Sequence, residues 1–272
     1  MIAAGIDVGH ETAKAVILNG GILVARSSMV ISGGVSAAAR IILDKVLTLA
    51  GMDEGAIDRI FATGAQREGV TWAAGHPTEM SCHARGAQWL LPGARTVIDM
   101  GAEGIRVMRC DARGDLTEFV INDKCASGTG VFLEIVAEML RVSLDEMGPL
   151  SLAASGGVTL TSTCAVFAES EIVAQIHRGS SRGEVLRAVN ESVASKVVPL
   201  SMRVGVEPEV VLTGGVARNV GVVEAVRRHL SAELWVPQEP ELVGALGAAL
   251  LAMDCSLGNA LMPGWGGWGG LG

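Results

Sequence analysis

Ile2-Ala-Ala-Gly-Ile-Asp-Val-Gly9 is an apolar strand that runs directly into an Asp-x-Gly turn. Two further strands are predicted over Ala13–Leu18 and Ile22–Ser28, and a helix follows over about Val35–Ala50. Strands that alternate with helices are typical of the α/β class. The chain therefore begins with a predicted β-β-β-α unit.

The same order of elements returns after Pro92. Predicted strands cover Thr96–Asp99, Ile105–Cys110 and Leu116–Ile121, and an amphipathic helix is predicted over Cys125–Arg141. Two copies of one topology imply a duplicated, two-lobed fold. We expect a first lobe over 1–93, a second lobe over 94–241, a C-terminal helix within 242–255 that packs back on the first lobe, and a Gly-rich disordered tail over 256–272.

Composition excludes several classes of function. The net charge of −8 and the lack of a basic cluster argue against binding to nucleic acid. The longest apolar stretch, Leu242–Met253, is well short of the roughly 20 residues that a membrane span needs. No leader pattern precedes the first strand, and the five cysteines are an odd number. We therefore expect a cytoplasmic protein with reduced thiols and without a membrane partner.

Three glycine-centred turns follow predicted strands. They are Gly5-Ile-Asp-Val-Gly9, Ile98-Asp-Met-Gly101 and Val211-Leu-Thr-Gly-Gly-Val216. Glycine lets the backbone approach a phosphate closely, and two aspartates can hold Mg²⁺ or its waters. One such turn alone is usually an ordinary tight turn. Two of them at matching places in duplicated units, with a third after a later strand, favour a nucleotide site.

Two cysteines lie at the predicted starts of helices, Cys125 in Asn122-Asp-Lys-Cys-Ala-Ser-Gly-Thr-Gly130 and Cys164 at the start of a helix predicted over about Cys164–His177. A helix N-terminus stabilises a thiolate, and two thiolates are half of a four-cysteine metal site. A second chain would supply the other two ligands. Spacing alone leaves both zinc and an iron–sulfur cluster open.

The remaining cysteines and the histidine at position 83 have plainer interpretations. We interpret Cys82, Cys110 and Cys255 as small buried apolar side chains, because free cysteine most often packs in that way. His83 has no further metal ligands near it in the sequence, so we interpret it as a hydrogen-bonded structural group.

Five stretches together make the sequence resemble a known family. They are Asn122–Gly130, Ser162-Thr-Cys-Ala-Val-Phe-Ala-Glu-Ser-Glu171, Ser192-Val-Ala-Ser195, Thr213-Gly-Gly-Val-Ala-Arg-Asn219 and Gly244-Ala-Leu-Gly-Ala-Ala249. The family comprises activators of 2-hydroxyacyl-CoA dehydratases and ATP-binding subunits of benzoyl-CoA reductase. It belongs to the actin, hexokinase and Hsp70 superfamily, whose two ribonuclease H-like lobes enclose ATP. The resemblance covers about residues 2–254.

The resemblance implies an ATPase that is coupled to electron transfer. Its cofactors would be ATP or ADP, Mg²⁺ and one [4Fe-4S] cluster bridged between two subunits, with Cys125 and Cys164 as this chain's metal ligands. A ferredoxin or flavodoxin would donate electrons, and a dehydratase or reductase would accept them. The implied catalytic residues are Asp7, Asp99 and Glu103. The implied nucleotide-binding residues are Asp7, Gly9, His10, Glu11, Thr12, Lys14, Gly101, Ala102, Glu103, Gly214, Gly215, Ala217 and Gly244.

The sequence departs from the family pattern in its two phosphate motifs. His10 and Glu11 replace a pair of small hydroxylated residues, and Ala102-Glu-Gly104 replaces Gly-Gln-Asp. Such departures favour one member of an unlike pair, so we predict a benzoyl-CoA reductase type subunit that pairs with a related chain. Glu103 would orient the attacking water. The alternatives are a small-molecule kinase of the same superfamily and a nonhydrolysing, metal-bridged regulatory dimer.

Overall fold

A computed structural model describes residues 1–122, 129–161 and 165–256. Its strands form two sheets, with the orders β3-β2-β1-β4 and β7-β6-β5-β8-β9. The strands are β1 Ile2–Val8, β2 Thr12–Asn19, β3 Ile22–Val30, β4 Arg59–Thr63, β5 Thr96–Met100, β6 Ile105–Cys110, β7 Leu116–Asn122, β8 Val210–Thr213 and β9 Leu234–Trp235. The helices are α1 Val35–Ala50, α2 Glu79–Leu90, α3 Gly130–Leu140, α4 Leu144–Ala153, α5 Ala165–His177, α6 Arg182–Val204, α7 Val220–Leu230 and α8 Val243–Ser256.

The two sheets repeat one arrangement, which confirms the predicted duplicated α/β fold. In each sheet an antiparallel hairpin comes first, and a later strand adds parallel to its first strand. In the first sheet Asp7 pairs in register with Lys14 on one side and with Thr63 on the other. In the second sheet Asp99 is flanked in the same way, by Arg106 and Thr213. The duplication therefore brings two equivalent aspartates to the ends of equivalent strands.

Helices α2 and α8 bring the inner faces of the two lobes together. Helix α8 packs on β1, β2, β4 and α2, and small residues allow this close approach. A Cβ at Gly5 of β1 would overlap the backbone of Ala245, and one at Gly247 would overlap the backbone of Cys82 on α2. Each of these glycines therefore lets a helix lie directly on its neighbour. The contact fixes α2 between the first sheet and the second.

One predicted helix boundary was wrong. The helix predicted to start at Cys125 begins at Gly130, with Thr129 as its extended N-cap residue, while Cys125 itself lies outside the described residues. The physical reason is a tertiary one. The first N–H groups of α3 are bonded by another loop, since Gly130 donates to the carbonyl of Gly101 at 2.9 Å and Val131 to that of Ala102 at 3.1 Å. Cys164 also lies outside the described residues, and α5 begins directly after it.

The structure tests the interpretation of three cysteines. Cys82 and Cys110 are buried, as expected, and burial raises the pKa of their thiols to about 12 and about 11. The same expectation was wrong for Cys255, which is exposed because it lies in the last turn of α8. Within the described residues, no helix is long and apolar enough to cross a membrane.

Candidate nucleotide cleft

A cleft of about 260 Å³ opens where the two sheets face each other. All of the predicted nucleotide-binding residues line it except Ala217 and Gly244. Ala217 is buried in the core of the second lobe. Gly244 lies just behind the cleft, where a Cβ would come within 2.9 Å of Asp7 Oδ2 and 3.0 Å of His83 Nε2. Gly244 therefore acts by leaving room for these two side chains.

The first hairpin presents a buried aspartate and a lysine to the cleft. Asp7 is 7% exposed at the end of β1, and Lys14 Nζ lies 3.6 Å from its Oδ2. The turn between them is closed by a hydrogen bond from the N–H of Gly9 to the carbonyl of Thr12 at 3.0 Å. Lys14 Nζ also donates to the carbonyl of Thr12 at 3.4 Å. Among the described residues these two partners engage two of the three donors of the ammonium, so one is available to a ligand.

The second hairpin has the same design with a different cation. The N–H of Gly101 donates to the carbonyl of Gly104 at 2.9 Å, and Arg106 lies beside Asp99 as Lys14 lies beside Asp7. Each hairpin places a lysine or arginine seven residues after its aspartate, and this repeat was visible in the sequence but was missed. Arg106 differs from Lys14 because it holds two carboxylates, Asp99 at 3.3 Å and Glu79 at 2.8 Å.

Helix α2 contributes two side chains that the sequence did not identify as part of the site. Thr78 caps the helix by accepting a hydrogen bond from the N–H of Ser81, and one turn separates Glu79 from His83. Both side chains line the cleft. His83 is buried, bonds Thr213 at 3.0 Å through Nδ1, and places Nε2 3.6 Å from Asp99. The interpretation of His83 as a hydrogen-bonded group is confirmed, and its place is at the centre of the site.

Glu79 lies in an environment that disfavours its charge. Burial raises the pKa of its carboxyl, Arg106 lowers it, and the nearby charges of Asp99 and Asp7 raise it again. The net direction is upward. The guanidinium of Arg106 is also buried, which opposes its charge, but Asp99 and Glu79 hold its pKa above the usual value.

Two polar contacts at the cleft mouth involve the turn of the first hairpin. One joins it to the turn of the second hairpin, and the other joins it to α3. His10 of the first turn lies 3.1 Å from Glu103 of the second, and these side chains are 38% and 54% exposed. Glu11 faces Glu134 on α3, and burial together with the charge and hydrogen bonding of Glu11 raises the pKa of Glu134. Both contacts join parts of the two lobes.

The cleft holds more negative than positive side chains. Its acidic residues are Asp7, Glu11, Glu79, Asp99, Glu103, Glu134, Asp145 and Glu241, and its permanent cations are Lys14, Arg106 and Arg218. A polyphosphate would meet net repulsion here unless a divalent cation accompanied it. In the described part of the chain, no group of three His, Cys, Asp or Glu side chains is arranged to hold a metal alone. Asp7 and Asp99 could still share a Mg²⁺ ion with phosphate oxygens and water.

Comparison with known proteins agrees with this architecture. The model of the BadF/BadG/BcrA/BcrD ATPase family matches residues 4–252. This chain belongs to that family. The BadF/BadG/BcrA/BcrD match spans both hairpins, α2, Cys125 and Cys164. All the residues that line the cleft lie inside it.

Individual members of the family are similar over nearly their full lengths. The activator of lactoyl-CoA dehydratase from Anaerotignum propionicum is 42% identical, over 94% of this chain and 99% of its own. One of the subunits of benzoyl-CoA reductase from Thauera aromatica is 33% identical, over 92% of each chain. A solved structure, the activator of 2-hydroxyisocaproyl-CoA dehydratase from Clostridium difficile with bound ADPNP, superposes with a TM-score of 0.89 at 38% identity, over 94% of this chain and 96% of that one. The fold is the actin-like ATPase fold.

Proposed function

We propose that this chain is an ATP-driven electron-transfer activator that carries half of the ligands of a [4Fe-4S] cluster shared between two subunits. The cleft would bind ATP with Mg²⁺, and ATP turnover would drive an electron to a 2-hydroxyacyl-CoA dehydratase. A ferredoxin or flavodoxin would supply the electron. The partner subunit would be a second copy of this chain or a related ATP-binding chain.

One observation carries the proposal: the second hairpin turn is hydrogen-bonded to the start of α3. Gly130 and Val131 donate to the carbonyls of Gly101 and Ala102, and a Cβ at Gly130 would lie only 3.2 Å from the Cα of Ala102. Residues 123–128, which include Cys125, lie in the sequence between β7 and Thr129, the residue directly before this helix. A displacement of the turn by a phosphate would therefore act on the start of α3, which follows the proposed cluster ligand Cys125 by five positions in the sequence.

The proposed residues fit nucleotide and metal chemistry. Lys14 would neutralise phosphate charge, the glycine turns would let the backbone approach the phosphates closely, and Asp7 and Asp99 would orient the Mg²⁺ ion and its waters. Cys164 directly precedes α5, whose first N–H groups and positive dipole end favour a thiolate and an anionic cluster. The cluster, when bound, supplies a one-electron redox centre. Each ~59 mV by which the acceptor's potential lies below the donor's lowers the equilibrium constant of one-electron transfer about tenfold. Transfer to a low-potential acceptor therefore needs a nucleotide-driven step.

The identities favour a dehydratase over a reductase as the acceptor. The chain is 42% identical to the lactoyl-CoA dehydratase activator and 33% identical to the reductase chain. We therefore propose the dehydratase activator in place of the benzoyl-CoA reductase type subunit that the altered phosphate motifs favoured.

Anaerobic purification with iron and sulfide analysis tests the proposed cluster. We expect four irons per two subunits and absorption near 400 nm that bleaches on reduction. Cys125→Ser and Cys164→Ser should each abolish the cluster, whereas Cys110→Ser, a substitution at a buried cysteine of β6, should leave iron content unchanged. Stoichiometric zinc, or full iron content in either ligand variant, would refute the assignment. A colourless protein that phosphorylates small molecules would instead support the kinase alternative.

A further inference from the structure

Helix α2 begins at the floor of the cleft, where its first turn lies beside the two aspartates. Glu79 is the first residue of this helix, and its side chain is only 18% exposed although it lines the cleft. The carboxylate is thus within reach of a ligand and is largely shielded from bulk water. Such an environment is typical of a group that transfers protons.

Arg106 fixes the position of the Glu79 carboxylate next to Asp99. One guanidinium nitrogen lies 2.8 Å from Glu79 Oε2 and another lies 3.3 Å from Asp99 Oδ2. The planar guanidinium therefore holds both carboxylates in one arrangement. His83, one turn further along α2, holds the other oxygen of Asp99 at 3.6 Å. Side chains anchored in this way are preorganised for chemistry.

Glu103, the residue that the sequence suggested for this task, lies in a different environment. Its side chain is 54% exposed at the cleft mouth and pairs with His10 at 3.1 Å. A carboxylate that is more than half exposed to solvent is poorly placed to receive a proton from a water that must be held apart from bulk solvent.

We propose that Glu79, rather than Glu103, is the catalytic residue that orients the attacking water and accepts its proton during ATP hydrolysis. The inference rests on the proposed ATPase function. In the reaction the water oxygen bonds to the γ-phosphorus while the bond from that phosphorus to the bridging oxygen breaks, and the electron pair of that bond leaves with ADP. The proton of the water moves to the Glu79 carboxylate and then to phosphate or solvent. Arg106 and His83 are positioning residues.

Single-turnover phosphate release from excess enzyme and ATP tests this assignment. Glu79→Gln keeps the shape of the side chain and its acceptor for Arg106, and we expect it to slow release by at least ~10²-fold. The affinity for a nonhydrolysable ATP analogue should be retained or rise, because a negative charge leaves the cleft. Glu103→Gln removes the same charge at the cleft mouth and should slow release far less than Glu79→Gln does. The control is Glu138→Gln, at an exposed residue of α3 outside the cleft lining, and it should leave the rate of release unchanged.

The dependence of the rate on pH separates a chemical role from a structural one. The rate of the wild-type chain should fall as acid protonates Glu79, with a midpoint above the usual range of a glutamate because the pKa is raised. The rate of Glu79→Gln should not show this fall at acid pH, which is the acid limb of the pH–rate profile. Glu79→Asp keeps the charge but withdraws it by one methylene. Its rate of phosphate release should be low and should still fall at acid pH.

The possible outcomes separate failure of this assignment from failure of the proposed function. If Glu79→Gln hydrolyses ATP at the wild-type rate while electron transfer remains ATP-dependent, the assignment of Glu79 is wrong and the proposed function stands. If Glu103→Gln alone removes the acid limb, Glu103 is the base. If the wild-type chain binds nucleotide but releases no phosphate in a single turnover, both the ATP-driven function and the role of Glu79 are refuted.

Discussion

Substitution of Gly214 by alanine tests how the cleft is built. Gly214 follows β8 and has φ 86° and ψ 168°, a conformation that is essentially restricted to glycine. A Cβ at this position would lie 2.6 Å from Asp99 Oδ1 and would overlap the carbonyl of Met100. Backbone strain costs about 1–3 kcal/mol and the steric overlap about as much again, so we expect a loss of ~2–6 kcal/mol in the free energy of unfolding.

Thermal unfolding and calorimetric titration with a nonhydrolysable ATP analogue measure the two consequences. A chain of this size loses roughly 2–4 °C per kcal/mol, so the midpoint should fall by about 4–24 °C. Nucleotide affinity should fall as well, because Asp99 is displaced. The control is Gly55→Ala, since a Cβ on this exposed residue outside the cleft lining would meet no atom of the described residues within 4 Å. Equal midpoints and equal affinities for the two variants would refute the reasoning.

Three further predictions concern charge and thiol exposure. Lys14→Met should weaken binding of the ATP analogue by about 10- to 100-fold, because a charge-assisted contact contributes roughly 1.5–3 kcal/mol. Lys45→Met, on the exposed face of α1, should leave the affinity unchanged, and equal affinities of the two variants in a titration would contradict the prediction. The pKa of Glu134 is raised, so its charge costs stability at pH 7, and that cost disappears as the pH falls and the carboxylate is protonated. Glu134→Gln should therefore raise the free energy of unfolding by ~0.5 kcal/mol at pH 7 but not at pH 4. The control variant Glu138→Gln should show no such difference between the two pH values. In thiol labelling of the native protein at pH 8, Cys255 should react while Cys82 and Cys110 remain unmodified; rapid modification of either buried thiol would show that α2 or β6 is packed differently.

The duplicated hairpins could be predicted because their signals are local. Each one is an apolar strand followed by an Asp-x-Gly turn and a second strand, and the pattern places Asp7 and Asp99 correctly at strand ends. Strand β6 and helix α1 also have the predicted bounds. Such elements are specified by residues within a few positions of one another.

The parts that were missed depend on contacts between distant residues. His83 bonds Thr213, which lies 130 positions away, and Glu79 meets Arg106 of strand β6, so neither role is visible in the sequence around α2. The start of α3 is likewise set by carbonyls of the turn at Gly101 and Ala102. The exposure of Cys255 depends on how far α8 extends beyond the elements that cover it.

The central claim is that ATP turnover in this cleft drives electron transfer, and one coupled measurement tests it directly. The reduced, anaerobically purified chain is mixed with a 2-hydroxyacyl-CoA dehydratase, and oxidation of the chain and phosphate release are followed together. We predict that rapid electron transfer requires ATP and is accompanied by phosphate release, and that neither ADP nor a nonhydrolysable analogue supports it. Electron transfer at the same rate without nucleotide, or phosphate release with no oxidation of the chain, would contradict the claim.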